Sequence, residues 1–312
     1  MLYSTLELMH VPDGFLSTAV SIVLWVLAIM AIGAALKRVS QDMGERLIPV
    51  MGVLAAAIFA GQMLNFSVAG GTSGHLLGAA LATVVLGPWG ALLVLTSVVS
   101  IQALIFQDGG LLALGANIVN MGVIGVAVSH FVFHSLQKLA RGRPAGIFLG
   151  AGLAAWLSTV VASLVCAIEL SASGTSPANL AIPAMAGIHV LIGLGEAVIT
   201  VGAVAFLYSA RRDLLDSATY RGGAAVWILG VSISAVLVVL APFASARPDG
   251  LEWVAEQQGF LGQAREPFLR LIPDYLVPGL ENEAMATILA GALGVLMILG
   301  AYLAIARTRR SS

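Results

Sequence analysis

The sequence predicts an all-α polytopic membrane protein, a helical bundle of about nine transmembrane helices. Of its 312 residues, 59% are hydrophobic and only 10% are charged, whereas about a quarter of the residues in soluble domains are charged. The mean hydropathy is +0.98. Apolar runs long enough to cross the hydrocarbon core, roughly 17–25 residues, recur along the whole chain.

The first apolar run, 15–36, lacks a small-residue cleavage site and is predicted to be a retained span rather than a signal peptide. The third run is short and contains glycine. The segment "LGPWG" at 86–90 is predicted to form a tight turn after it, because Pro88 cannot continue a helix and its flanking glycines accept unusual dihedral angles. The predicted spans are 15–36, 47–64, 74–87, 89–106, 111–136, 145–170, 187–209, 224–242 and 284–305.

The basic residues predict the orientation of the bundle, because cytoplasmic loops collect Lys and Arg. If the chain starts outside and crosses nine times, twelve of the fifteen basic residues lie inside. The N-terminus is therefore predicted outside and the C-terminus in the cytoplasm. The twelve are Lys37, Arg38, Arg46, Lys138, Arg141, Arg143, Arg211, Arg212, Arg221, Arg307, Arg309 and Arg310.

A composition break divides the chain into two predicted units. The outer loop 244–283 holds seven of the sixteen acidic residues. We expect a seven-span unit at 1–222 and a two-span unit at 223–312 that carries this loop. The net charge of −1 suggests no nucleic acid partner, and the single cysteine, Cys166, excludes internal disulfides and thiolate metal clusters.

The histidines suggest a metal site. His130 and His134 lie four apart on one helix face but precede a basic segment, which disfavours a cation, and are predicted to be interfacial. His75 differs, because it follows the glycine-rich loop "VAGGTSG" at the predicted outer mouth of a span. Irregular backbone at membrane depth is tolerated only where it is buried in protein or lines a cavity. His10 is predicted on the same side.

Imidazole ligands suit nickel, cobalt, copper and zinc. If the chain begins at Met9, its amine, the deprotonated backbone nitrogen of His10 and the His10 imidazole would form fused chelate rings. His75 would complete a four-nitrogen plane, the tetragonal geometry that Ni(II) and Cu(II) favour.

Further polar residues are predicted either to bond neighbouring helices or to surround the metal and its route. His189 and Glu196 lie two turns apart on one helix face and could form a structural pair or a charge near the metal. Asp13 and Asp108 are interpreted as turn residues. The set near the site or along the route is Gln62, Asn65, Asn117, Asn120, His189 and Glu196.

The segment "MHVPDGFLS" at 9–17, followed from residue 59 by "FAGQMLNFSVAGGTSGHLLGA", resembles the CbiM/NikM family. This family supplies the substrate-specific membrane component of cobalt/nickel energy-coupling-factor transporters, and the resemblance covers about 9–209. It implies that Met9, His10 and His75 bind the ion. Residues 1–8 are then a start-site artefact or a leader that is removed, or else the amine ligand is absent and the site is altered. "ARPDGLEWVAEQ" at 246–257 resembles the small two-span accessory subunit, which implies a fusion.

The resemblance implies high-affinity uptake of nickel or cobalt through the plasma membrane of a bacterium or archaeon. A transmembrane coupling subunit and a pair of cytoplasmic ATPases would be its partners, and they would hydrolyse the ATP. The loop "GGTSGH" is similar to the nickel type, and the planar nitrogen site also favours nickel. The metal ion is the substrate, and no prosthetic group is expected.

No P-loop motif and no hydrolase motif of the H-E-x-x-H or G-x-S-x-G type occurs, so an enzyme is not expected. The alternative is a secondary transporter driven by an ion gradient. Such a protein would need paired broken helices and ionisable groups inside the membrane. Only Glu196 and Glu169 are candidates for such groups.

Overall fold

The computed structural model describes residues 9–42, 47–141, 143–215, 224–267 and 270–310, and these form a helical bundle. Residues 1–8 and the predicted inner residues Arg46 and Arg221 lie outside the described residues. The helices are α1 (Thr18–Asp42), α2 (Ile48–Gln62), α3 (Ala79–Ile101), α4 (Leu114–Asn117), α5 (Gly125–Leu139), α6 (Pro144–Ala172), α7 (Ala178–Ala210), α8 (Ala224–Leu240), α9 (Gly250–Gln258) and α10 (Glu283–Arg310).

Two π-helical stretches extend these helices. Gln102–Phe106 follows α3, and Ile118–Ile124 joins α4 to α5. Insertions of this kind occur frequently at functional sites. The glycine-rich loop forms a short antiparallel hairpin of β1 (Phe66–Ser67) and β2 (Ser73–Gly74), a small exception to the predicted all-α fold.

Helix α3 is a hairpin of two arms that meet at Gly87. Gly87 has φ 70° and ψ 177°, which is not helical, and Pro88 follows it. His75, before α3, and Asp108, after it, both lie beside His10. Because a straight helix of this length would extend about 35 Å, the chain must reverse at Gly87. The turn predicted at 86–90 is therefore present.

Seven helices in the described part of the chain are long and apolar enough to cross a membrane, and α2 is a shorter apolar helix. The prediction of an all-α polytopic membrane bundle is confirmed. The predicted number of nine differs from seven for two reasons. The third and fourth predicted spans are the two arms of α3, and the second predicted span is the 15-residue α2.

The basic residues near the ends of four helices lie at the end of the bundle opposite His10, whereas Arg247 and Arg265 lie in the loop beside the N-terminal segment and the loop of His75. Lys37, Lys138, Arg211 and Arg307 are at or just beyond the ends of α1, α5, α7 and α10. The preceding ends of these helices, or the loops before them, reach the end that holds His10. If the N-terminus is outside, these basic helix ends are cytoplasmic, as expected from the enrichment of Lys and Arg on that side. The orientation itself stays a prediction.

The C-terminal helices pack on α2, which contacts both α8 and α10. The hydroxyl of Tyr302 in α10 lies 3.1 Å from Ser97 Oγ in the second arm of α3. The two predicted units therefore share one apolar core, whose buried members come from both sides of the linker.

We expect Gly87→Ala to lower the free energy of unfolding by about 1–3 kcal/mol, because its backbone conformation is open essentially only to glycine. Nothing lies within 4 Å of a Cβ at this position, so the cost is in the backbone alone. Chemical unfolding of the purified protein in mixed micelles measures it. Gly33→Ala is the control, since Gly33 is helical and equally open. Equal stability of both variants would contradict the hairpin turn.

Candidate metal centre

The N-terminal segment 9–17 is irregular backbone that lies among the helices and is held there by side chains. The Asp13 carboxylate accepts hydrogen bonds from the backbone N–H groups of Leu111, Leu112 and Ala113, at 3.1, 2.8 and 3.0 Å. Asp13 is therefore more than the predicted turn residue, because it ties the N-terminal turn to the loop that precedes α4.

Asn117 fixes the residue next to His10. The backbone N–H of Val11 donates to Asn117 Oδ1 at 3.0 Å, and Asn117 Nδ2 donates to the Val11 carbonyl at 3.1 Å. Gly109, at φ +96°, passes so close that a Cβ there would lie 2.9 Å from His10 Cβ. Asn117 therefore lies near the site, as predicted, and its side-chain amide holds the backbone of the segment that carries His10.

His10 is 3% exposed and belongs to a buried chain of hydrogen bonds. Its Nδ1 donates to Asp108 Oδ1 at 2.8 Å, and Asp108 Oδ2 accepts from the Tyr275 hydroxyl at 2.7 Å. His10 Nε2 is buried without a partner among the described residues. Burial lowers the pKa of His10, but the charge and hydrogen bond of Asp108 outweigh it and raise that pKa overall.

The same ion pair acts on Asp108. Burial raises the pKa of this carboxyl, yet the charge of His10 and the hydrogen bonds from His10 and Tyr275 bring it below its ordinary value. The predicted fused chelate needs Nδ1 of His10. In the structure that nitrogen contacts Asp108, so such a chelate requires rotation of the ring.

Each ring nitrogen of His75 lies 3.1 Å from a backbone carbonyl oxygen. Nδ1 faces the carbonyl of Leu76, and Nε2 faces the carbonyl of Met9. Burial, followed by the charge of His10, lowers the pKa of His75 and favours the neutral ring. A neutral imidazole has one N–H, so it can donate to only one carbonyl. The lone pair of the other nitrogen then faces a lone pair of the carbonyl oxygen. A cation bound between them would remove this repulsion.

The rings of His10 and His75 are 5.5 Å apart between centroids and inclined by 50°. A metal ion about 2.0–2.1 Å from a ring nitrogen lies roughly 3.2 Å from the ring centre, so rings sharing one ion can be up to about 6.4 Å apart. The observed separation is within that limit. The described residues contain no cluster of three or more His, Cys, Asp or Glu side chains that could hold a metal. An ion here would therefore need main-chain or terminal nitrogen atoms as well.

A cavity of about 100 Å³ lies beside these rings and extends into the bundle. Asn120, Thr159, Ser163 and Cys166 line its wall, and three of them follow one face of α6. Asn120 Nδ2 donates to Glu169 Oε2 at 2.8 Å, which leaves Asn120 Oδ1 buried without a partner in the described structure. Asn120 thus lines the same cavity as His10 and His75.

Glu196 and His189 do not pair with each other, although both lie on one face of α7. The Glu196 carboxylate accepts from the backbone N–H groups of Leu77 and Gly78 at 2.7 and 3.0 Å, and so stabilises the start of α3. His189 Nδ1 donates to the Met185 carbonyl at 2.8 Å, and its ring lines the cavity.

Gln62 and Asn65 lie near the loop that carries His75, and the oxygens of both side chains are buried without a hydrogen-bond partner in the described structure. Gln62 Nε2 donates to the Leu77 carbonyl at 3.1 Å, so it holds the backbone just after His75. The main-chain carbonyl of Asn65 accepts from the N–H of Ser245 at 2.8 Å. These residues therefore stabilise the loop rather than orient a ring.

The C-terminal unit contributes directly to the site. The N–H and the hydroxyl of Ser73 bond the carbonyls of Pro248 and Arg247 at 2.8 and 2.7 Å. Asp249 follows, caps α9 by accepting from Glu252 N–H at 2.7 Å, and lines the cavity. Burial raises the pKa of Asp249 to about 7.

Sequence reasoning missed the roles of Asp108, Tyr275 and Asp249. Asp108 was predicted to be a turn residue, and Tyr275 had no motif around it. Asp249 lies within the quoted "PDGLE" segment. That motif was the one available signal that a carboxylate from the C-terminal unit would reach the site.

The chain matches two family models. The CbiM family, described as the cobalt uptake substrate-specific transmembrane region, matches residues 10–214. The chain belongs to the CbiM family. A PDGLE domain matches residues 223–311, so the resemblance to a fused pair is confirmed. CbiM proteins are nickel and cobalt transport proteins, and the prediction of a multi-pass membrane transporter rather than an enzyme is confirmed.

Fused relatives align along nearly the whole chain. A putative fused nickel transport protein NikMN of Archaeoglobus fulgidus is 34% identical over 97% of this chain and 100% of its own length. The fused nickel transport protein NikMN of Rhodobacter capsulatus is 31% identical over 93% of this chain and 95% of its own. The cobalt transport protein CbiM of Sorangium cellulosum is 33% identical over 67% of this chain and 95% of its own.

Two crystal structures share the fold over about two thirds of this chain. A transition metal transporter is 32% identical, with a TM-score of 0.59 over 68% of this chain and 99% of its own. A truncated transition metal transporter is 34% identical, with a TM-score of 0.58 over 64% of this chain and 99% of its own.

Proposed function

We propose that this chain captures nickel or cobalt ions with high affinity as the substrate-binding subunit of an energy-coupling-factor transporter. The observation that carries the proposal is the convergence of His10 and His75, 65 residues apart in sequence, to a centroid distance of 5.5 Å beside a cavity. Two imidazoles at this separation can share one transition-metal ion.

The ion enters from the extracytoplasmic side. The histidines and the cavity lie at one end of the bundle, and the basic helix ends lie at the other. Because cytoplasmic ends are enriched in Lys and Arg, the end with His10 faces outward. Asp249, which lines the cavity, and Asp108, which contacts His10, are both buried and attract a cation to the site.

The donor set consists of the Met9 amine, His10 and His75, and nickel is the favoured ion. Nitrogen donors in a tetragonal arrangement suit Ni(II). The fused relatives that align along nearly the whole chain are named as nickel transport proteins. Three relatives named as cobalt or putative cobalt transport proteins align with 67% of the chain or less.

Transport is powered by separate subunits. The chain carries no P-loop with which to hold ATP. A transmembrane coupling subunit and a pair of cytoplasmic ATPases supply the energy, and the basic helix ends of this chain face them.

His10→Ala and His75→Ala should each weaken nickel binding by more than about 100-fold, because each removes a ligand and outer-shell changes alone cost roughly 10–100-fold. Competition with a chromophoric chelator measures the affinity of purified protein. His134→Ala is the matched control, since His134 is exposed and lies in the part of α5 away from His10. Retained affinity in both site variants would reject the centre.

Protein that begins at Met9 should bind nickel more tightly than protein in which residues 1–8 precede it. Only the shorter form offers a primary amine next to His10 as a donor. The same competition titration on both forms, with their N-termini confirmed by sequencing, measures the difference. Equal affinity would remove the amine from the donor set.

Uptake of radioactive nickel by cells should require the coupling subunit and both ATPases. Cells that express this chain with its partners should accumulate nickel, and an inactive ATPase variant should abolish accumulation. Collapse of the proton gradient at constant ATP should leave uptake intact. Vigorous gradient-dependent uptake by this chain alone would instead support a secondary transporter.

A further inference from the structure

The cavity beside the two histidines has a sulfur-rich side. Met121, Cys166 and Met185 all line it, and they are 6%, 6% and 1% exposed. These side chains differ in chemistry from the nitrogen donors of the candidate centre. Methionine often fills irregular gaps in a core, so packing alone would account for them unless further donors face the same space.

Cys166 and Met185 lie close together across the neighbouring helices α6 and α7. Trp156 of α6 fixes the register, because its Nε1 donates to the Val190 carbonyl at 3.0 Å and a Cβ at Gly193 would lie 2.9 Å from its Cδ1. Cys166 is ten residues further along α6, and the matching step back along α7 reaches residues within one turn of Met185. The thiol and the thioether are therefore at the same depth in the cavity.

His189 adds a nitrogen donor on this side. It lies one helical turn after Met185, and its ring lines the cavity. Its Nδ1 donates to the Met185 carbonyl at 2.8 Å, and a neutral ring that donates through Nδ1 has its lone pair on Nε2. Nε2 has no hydrogen-bond partner among the residues that the structure describes. A free imidazole nitrogen thus accompanies the sulfur side chains.

A second unpartnered atom indicates that a ligand binds here. Asn120 is 5% exposed and lines the cavity, and its Oδ1 is buried without a partner in the described part of the chain. Its Nδ2 donates to Glu169, which holds Asn120 and the adjacent Met121 against the turn of α6 that carries Cys166. Buried polar atoms are almost always hydrogen bonded, so this oxygen marks a place for a water molecule or an ion.

We propose that Met121, Cys166, Met185 and His189 form a second metal site, selective for Cu(I), in this cavity. Thiolate and thioether donors select Cu(I) because it is a soft ion. Zinc is held by His, Cys, Asp and Glu side chains, and the described residues contain no cluster of three or more of these that could hold a metal. The sulfur of methionine is what distinguishes the two ions.

Charge also matches the proposed ion. Thioethers and a neutral imidazole carry no charge, so one thiolate balances the single positive charge of Cu(I). The thiol proton leaves to solvent as the bond from copper to the Cys166 sulfur forms, as metal ligands must be deprotonated. The site shares no ligand with the nickel donors Met9, His10 and His75, so it does not rest on the proposed function.

The test measures Cu(I) affinity of the purified full chain by competition with bicinchoninate, which forms a coloured Cu(I) complex, under anaerobic reducing conditions. We expect Cys166→Ser and Met185→Leu each to weaken binding by more than about ten-fold, since each removes a ligand. Met51→Leu is the matched control, because Met51 is 3% exposed and does not line the cavity. It should leave binding within about two-fold, since this exchange nearly conserves volume.

X-ray absorption at the copper edge gives a readout that a packing role would not move. Copper bound to the wild-type chain should have sulfur neighbours, and Met185→Leu should have fewer. Copper surrounded only by nitrogen and oxygen, or equal weakening in Met51→Leu, would overturn the site. Absence of Cu(I) binding in a chain that binds nickel would also overturn it, whereas Cu(I) binding by a chain that binds no nickel would reject only the proposed function.

Discussion

A non-helical segment can lie among transmembrane helices only if side chains satisfy its backbone, because hydrocarbon offers no hydrogen bonds. The segment 9–17 meets this requirement. Asn117 bonds both the N–H and the carbonyl of Val11, and Asp13 bonds three N–H groups of the loop before α4. These contacts place His10 inside the protein, and the position of the candidate centre depends on them.

The sequence predicted the features that depend on local chemistry. Apolar run lengths predicted the bundle, and the turn at Gly87 followed from a proline between two glycines. It did not predict partners chosen by tertiary packing. His189 and Glu196 share a helix face, yet each bonds a nearby backbone group instead. Asp108, next to two glycines, has the sequence of a turn, and its partner Tyr275 lies 167 residues away.

Both units of the chain contribute residues to the walls of one cavity. The loop that carries His75 is bonded to Pro248 through Ser73, and the residue after Pro248, Asp249, lines the cavity. On the other side, Tyr275 holds Asp108. The two-span unit therefore touches the surroundings of both imidazoles. Its fusion to the metal-binding unit places these groups at a fixed ratio and at high effective concentration.

Charge explains why carboxylates surround a site with nitrogen donors. A divalent ion beside buried side chains requires negative charge nearby, because transfer of an ion from water to a low dielectric is costly. Asp108 is already paired with His10, whereas burial raises the pKa of Asp249 to about 7. On the proposed function, an ion bound beside the cavity would favour the ionised form of Asp249 and the deprotonated form of any imidazole nitrogen that it binds. Ion binding would then release protons, and a lower pH would weaken it.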